Sequence, residues 1–169
     1  DRTYGPKRIL SLSGGGVRGR VTLGALQNLE DLLREQMGGG SEVRLSDHYD
    51  LIAGTSTGSI IATGLALGWT VSEIKALYDE LCPILFRPNR RLGVFRPRFD
   101  VEPLTTKLDE HFGDLTLGAS ELRTGLLICA KRMDTDSAWV LNNNPNGKYF
   151  GKTEANQTWL PNSEYKLKY

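Results

Sequence analysis

The residues best suited to chemistry lie in Asp50-Leu51-Ile52-Ala53-Gly54-Thr55-Ser56-Thr57-Gly58-Ser59, where an apolar run breaks at Gly-x-Ser-x-Gly and passes into a second apolar, helix-compatible run. That is the sequence form of a nucleophile elbow, a sharp strand-to-helix turn that raises a serine hydroxyl. Such a turn needs very small residues two places either side of the serine, because a Cβ there would collide as the backbone folds back; Gly54 and Gly58 supply them. Ser56 is thereby expected at a helix N-terminus, where unpaired N–H groups and the helix dipole favour negative charge developing nearby. A plain strand-loop-helix junction is the alternative, since Gly-x-Ser-x-Gly also arises by chance in chains rich in Gly and Ser.

A second motif precedes it. Gly14-Gly15-Gly16-Val17-Arg18-Gly19 satisfies Gly-x-Gly-x-x-Gly after a strand-like run and before a helix-like one, the setting of a dinucleotide-binding turn. That reading needs an acidic residue about 20 positions on, at the end of the next strand, to hold a ribose. Positions 34–40 are instead Arg-Glu-Gln-Met-Gly-Gly-Gly, a helix end and a loop. A P-loop is excluded, because no Gly-Lys-Ser or Gly-Lys-Thr follows. What remains is a concave set of backbone N–H groups able to bind an anion, which an acyl-transfer enzyme needs for the oxyanion of its tetrahedral intermediate. Three glycines permit the dihedral angles that make consecutive N–H groups converge.

The other candidates are weaker. A Ser-acid-His triad could be filled by Ser56, Asp100 or Asp109, and His111, but His111 falls in the polar register of a helix whose core face is Leu104, Leu108 and Phe112. His48 reads as a loop residue, Asp134 and Asp136 as turn formers at a hairpin tip, and Asp50 as the first residue of the elbow strand, at the wrong end to serve Ser56. Arg87, Arg90, Arg91, Arg96 and Arg98, interleaved with Leu92, Val94 and Phe95, suit phosphate headgroups and a lipid surface, or equally a solvated loop with structural ion pairs.

These residues must be carried by a small set of elements. Arg8–Leu12 reads as a buried strand leading into the glycine loop, and a helix follows, with Val21, Ala25, Leu26, Leu29, Leu32 and Leu33 as its inward face, ending at Gly38-Gly39-Gly40. Leu51–Gly54 is the elbow strand, and Ser59–Leu67 the helix behind it, with Gly68 as its C-cap. Thr70-Val71-Ser72-Glu73 has capping-box spacing, so a third helix starts there, buries Ile74, Leu77, Tyr78 and Leu81, and is limited by Pro83. Residues 86–99 read as a loop, and Asp100 can cap a fourth helix through Leu104, Leu108 and Phe112 that closes at Gly113. Thr124–Lys131 and Ser137–Leu141 form a hairpin, and residues 142–165 are loop with little core. Strands alternating with helices argue for an α/β sandwich with a largely parallel sheet, whose chemistry gathers beyond the carboxyl ends of the strands, where both glycine motifs sit.

The 169 residues suffice for one domain with a sizeable core. A net charge of +1 gives no global field for nucleic acid, which is excluded as a partner. Cys82 and Cys129 form no disulfide framework or zinc spacing, Cys129 reads as a buried reduced thiol, and neither a metal nor a cofactor is called for. The longest apolar stretch, Ile60–Trp69, is far below the ~20 residues needed to span a bilayer. With no leader-like segment, a soluble, cytoplasmic chain is expected, with peripheral membrane association if the arginine loop meets lipid.

Taken as a pair, Ser13-Gly14-Gly15-Gly16-Val17-Arg18-Gly19 and Leu51-Ile52-Ala53-Gly54-Thr55-Ser56-Thr57-Gly58 resemble the patatin-like phospholipase family, in which a glycine-rich oxyanion loop and a Gly-x-Ser-x-Gly elbow occur in this order. The resemblance extends more loosely through Phe99-Asp100 and Phe112-Gly113-Asp114-Leu115-Thr116-Leu117, and covers roughly residues 8–141. It implies a three-layer α/β/α sandwich, and a Ser-Asp dyad that cleaves acyl esters of glycerophospholipids, at a membrane surface and without histidine. Carried over, Ser56 is the nucleophile, Gly14, Gly15 and Gly16 supply the oxyanion hole, Arg18 orients or charges that loop, and Gly54 and Gly58 shape the elbow. The family's aspartate lies in an Asp-Gly motif well downstream, and this chain contains no Asp-Gly dipeptide. Residues 1–169 are therefore expected to be a single patatin-like domain, incomplete at its C-terminal end; a non-catalytic lipid-binding or regulatory module is the alternative. Head-group preference and oligomeric state are not set by these residues.

Overall fold

The computed structural model describes residues 5–39, 42–85, 101–147, 149–151 and 161–167. Strands β1 (Ile9–Leu12), β2 (Leu51–Thr55), β3 (Gly125–Lys131) and β4 (Ala138–Asn142) form one sheet in that order. The first three are parallel, and β4 runs antiparallel to β3 as the second arm of the expected hairpin. The described helices are α1 (Gly19–Gln36), α2 (Thr57–Ala66), α3 (Val71–Leu85) and α4 (Val101–Phe112).

Each parallel strand lies beside its predecessor, and crossovers of this kind are right-handed, so α1 and α2 belong on the same face of the sheet. Burial agrees. Leu12, Ile52 and Leu126 from that face join Ile61 and Leu65 of α2, Leu23 and Leu26 of α1, Ile74, Leu77 and Tyr78 of α3, and Phe112 of α4 in a single core. On the opposite face Ile9 and Val140 are exposed, and Leu51, Ala53 and Cys129 are half-buried. The result is the α/β sandwich with a largely parallel sheet, its described helices on one side. Among the described residues no helix is long and apolar enough to cross a membrane.

Local signals explain most element ends. Glu73 accepts the Thr70 N–H at 2.7 Å while the Glu73 N–H donates to Thr70 Oγ1 at 3.2 Å, a reciprocal capping box that starts α3. α2 closes with the Gly68 N–H on the Leu65 carbonyl and the Trp69 N–H on the Gly64 carbonyl, a Schellman motif around a left-handed Gly68 (φ 83°). Pro83 does not end α3, which runs on to Leu85. The arginine-rich segment 86–99 and the Asp100 cap lie outside the described residues.

Two expectations need correction. Leu26, Leu29 and Leu33 of the expected α1 face do pack on the core, joined by Leu23 and Glu30, whereas Val21 (76% exposed), Ala25 and Leu32 face outward. Glu30 can be buried because its carboxylate is fully engaged, taking the Val71 N–H at 2.9 Å and Arg34 at 3.1 Å. The described part of 142–165 also adds to the core. Asn162 is buried, Tyr165 packs against the core, and the Leu117 N–H donates to the Tyr165 carbonyl at 2.8 Å.

Candidate active site

β2 ends at Thr55 and α2 begins at Thr57, and Ser56 between them has φ 52° and ψ −129°. A non-glycine residue there carries on the order of 1–3 kcal/mol of strain and persists only when its surroundings over-determine it. They do so from two sides. The Ser56 carbonyl accepts both the N–H of Ser59, at 2.8 Å, and its hydroxyl, at 2.5 Å, closing the first turn of α2. A Cβ on Gly54 would stand 2.6 Å from Ser59 Cα, and one on Gly58 2.9 Å from the Ser13 carbonyl oxygen. The elbow therefore packs backbone to backbone against itself and the end of β1, as the two glycines predict.

The glycine loop meets it there. A Cβ on Gly14 would lie 2.7 Å from Ser56 Cβ and 2.8 Å from the Thr55 carbonyl oxygen, so the two motifs are in contact. The Gly14 N–H donates to Thr55 Oγ1 at 3.0 Å. Gly16 (φ 59°) opens a 3-10 turn, Gly16–Arg18, that runs directly into α1, and the Arg18 N–H donates to the Gly15 carbonyl at 3.2 Å. Arg18 itself is exposed, its Cβ against Gly15. With the Gly14 N–H committed to Thr55, the donors left for an anion are those of Gly15 and Gly16, which meet no protein acceptor among the described residues.

Beyond Ser56 opens a cleft of about 660 Å³, walled by Thr55 and Ser59 on one side and by Cys129, Lys131, Asp136 and Ser137 on the other. Cys129 is half-buried on this wall, not enclosed in the core as its apolar neighbours predict. Its side chain points to the sheet face that the described helices leave open. Asp136, left-handed at φ 56° in the β3–β4 turn, pairs with Lys131. Asp134 is bound by Arg132, whose hydrogen bond holds that carboxyl below its ordinary range.

The remaining candidates lie elsewhere. His111 faces Glu80 at 3.4 Å and the edge of Trp69, whose ring stacks on Phe112 at 5.3 Å. Trp69 follows the C-terminal end of α2, and Ser56 stands at its N-terminal end. Ten helical residues therefore separate the two, about 15 Å at 1.5 Å per residue. A Ser56–His111 triad is not assembled. Asp50 accepts the Arg8 N–H at 2.9 Å at the amino end of β2, and His48 follows the short turn before it. No group of three or more His, Cys, Asp or Glu side chains among the described residues could hold a metal ion. Sequence reasoning missed Thr55 and Ser59, which fasten the elbow through their hydroxyls. The only signal was a hydroxyl at those positions of the motif.

Comparison with known proteins places the chain in a family. The patatin-like phospholipase family model matches residues 10–163. A cGAMP-activated phospholipase of Vibrio cholerae serotype O1 is 34% identical over 118 residues, covering 63% of this chain and 33% of the relative. Patatin-like protein 4 of Arabidopsis thaliana is 37% identical over 122 residues, covering 64% and 30%. A cUMP-AMP-activated phospholipase of Escherichia coli is 45% identical over 76 residues, covering 45% and 21%. The matched stretch thus spans a third or less of these relatives. With the family match running through both glycine motifs and the sheet that joins them, the chain belongs to the patatin-like phospholipase family.

Proposed function

We propose that this chain carries the nucleophile and oxyanion loop of a lipid acyl hydrolase that cleaves acyl esters of glycerophospholipids. The single observation that carries this reading is Ser56, held at φ 52° on the first turn of α2 with Gly14 packed against its Cβ. In this mechanism the Ser56 hydroxyl attacks the acyl carbonyl, and the N–H groups of Gly15 and Gly16 take the oxyanion. The lysolipid alcohol leaves, and water then releases the fatty acid from the acyl-serine. Arg18, exposed beside Gly15, suits a lipid phosphate. A carboxylate general base completes the mechanism, as the family resemblance implies. Asp136, the one acid on the cleft wall among the described residues, is held by Lys131 and is a poor substitute for it.

The test is hydrolysis of a phospholipid and of a short acyl ester by the full-length protein and its Ser56→Ala variant. Because relatives are named as activated by cGAMP and by cUMP-AMP, each is assayed with and without those nucleotides. Ser56→Ala should fold normally and lose several orders of magnitude in turnover. Equal turnover by the two proteins would refute the reading, and a folded full-length protein that binds lipid but hydrolyses nothing would favour a non-catalytic module.

A further inference from the structure

Tyr78, in the middle of α3, is 1% exposed, and its hydroxyl donates to the carbonyl of Gly16. The acyl-transfer reading makes no use of it, and its sequence context marks it only as a core aromatic. Its surroundings are built around that bond. A Cβ on Gly19, the first residue of α1, would overlap the Tyr78 hydroxyl and come within 2.6 Å of the ring carbon bearing it. One residue further along each helix, Arg20 and Asp79 pair at 2.8 Å, tying the same stretch of α1 to the same stretch of α3.

The physical need is clear from the loop's composition. Three consecutive glycines lose more conformational freedom on ordering than any other tripeptide. Donors for an oxyanion are effective only if they are already in place, so that none must reorganise as charge develops. Gly14-Gly15-Gly16 is fastened at both ends by side chains from elsewhere, its first N–H to Thr55 Oγ1 and its last carbonyl to the Tyr78 hydroxyl. Because a trans peptide is planar, fixing the Gly16 carbonyl also fixes the Val17 N–H, directed away from Tyr78. We propose that Tyr78 is a positioning residue, which through the Gly16 carbonyl holds the glycine loop in its anion-receiving conformation. This rests on the acyl-transfer reading of the loop. Burial pushes the Tyr78 hydroxyl above its ordinary pKa, which keeps it a donor at neutral and mildly alkaline pH.

The experiment uses the full-length protein with Tyr78→Phe, which keeps the ring and removes the donor. Its kcat for a short acyl ester should fall about tenfold or more, short of the ~10² to 10³ that follows loss of a donor itself, with KM little changed. A trifluoromethyl ketone, whose adduct needs the same donors, should bind more weakly by the same factor, and amide exchange at residues 14–18 should quicken. Gly19→Ala, which displaces the hydroxyl from the other side, should reproduce these changes, and the double variant should be no worse than the worse single one. A folded Tyr78→Phe with wild-type kcat and inhibitor affinity overturns the proposal, as does a loss confined to KM or strictly additive losses. Ser56→Ala run alongside separates two failures. If it hydrolyses like wild type, the acyl-transfer reading itself falls; if it is inactive while Tyr78→Phe is unimpaired, only the role of Tyr78 falls.

Discussion

The glycines of the two motifs do different jobs, and their substitutions should separate stability from turnover. Gly58 touches backbone that cannot move aside, so Gly58→Ala should destabilise the fold by about 1–3 kcal/mol, as overpacking does, and should disturb Ser56 with it. Gly15 is exposed, and a Cβ on it would meet nothing nearer than Arg18 Cβ, at 3.4 Å. Gly15→Val keeps the N–H but stiffens the backbone, so the exposed loop should re-orient with the urea midpoint nearly unchanged, while turnover falls toward the ~10² to 10³ typical of a donor no longer aimed at the oxyanion. Parallel denaturant unfolding and ester hydrolysis check both, and a Gly15→Val that keeps wild-type turnover would give the loop another purpose. Ser56, Gly54 and Gly58 were legible in the sequence because the elbow's steric demand is local and fixes residue size at fixed spacing. Tyr78 was legible as a buried residue of α3, but the partners of its hydroxyl and of Thr55's were not, because each lies far away in sequence and a hydroxyl's partner is set by the packing of whole elements.

At the scale of the element, α3 shows what spacing can and cannot reveal. Its capping box was readable because all four residues lie within one turn. Hydrogen bonds from Thr70, backbone first and hydroxyl second, hold the Glu73 carboxyl below its ordinary pKa, with Arg44 assisting. The carboxylate form is therefore favoured by folding, so this stabilisation is complete above the unfolded carboxyl's pKa and is lost as pH falls through the lower folded value. Thr70→Ala should cost about 1 kcal/mol at neutral pH, and Glu73→Gln should flatten the acid limb of stability against pH; thermal melts from pH 7 to pH 3 measure both. The inward face of α1 was misread in part, for the complementary reason. Periodicity alone joins the apolar Val21, Ala25 and Leu32 to Leu26, Leu29 and Leu33, and passes over Glu30 because it is charged. The choice is made by a neighbour, since Glu30 supplies the acceptor for the first N–H of α3 and so turns its own face inward.

At the scale of the whole molecule, order along the chain made the parallel sheet readable, because strand-helix-strand units of this length close in only one hand. The general base was not readable, because no carboxylate stands in a recognisable motif. Among the described residues the Ser56 cleft offers only Asp136, already paired with Lys131. Residues 1–169 expressed alone should therefore react slowly with a fluorophosphonate probe, and Asp136→Asn or His111→Ala should not slow them further. Fast labelling that depends on either residue would place the base within this chain. The sheet order has a further consequence for how the protein is made. β2 pairs with β1 across the crossover that contains α1, but its other edge waits for β3, whose partner to Leu51 is Gly125. At ordinary rates of synthesis that interval lasts roughly 4 to 15 s, with Ile52 at an unpaired strand edge. Of the two described strands with a neighbour on each side, the one that carries the candidate nucleophile thus waits far longer for its second neighbour, and the nascent chain is exposed to chaperones and to aggregation at its own reactive centre.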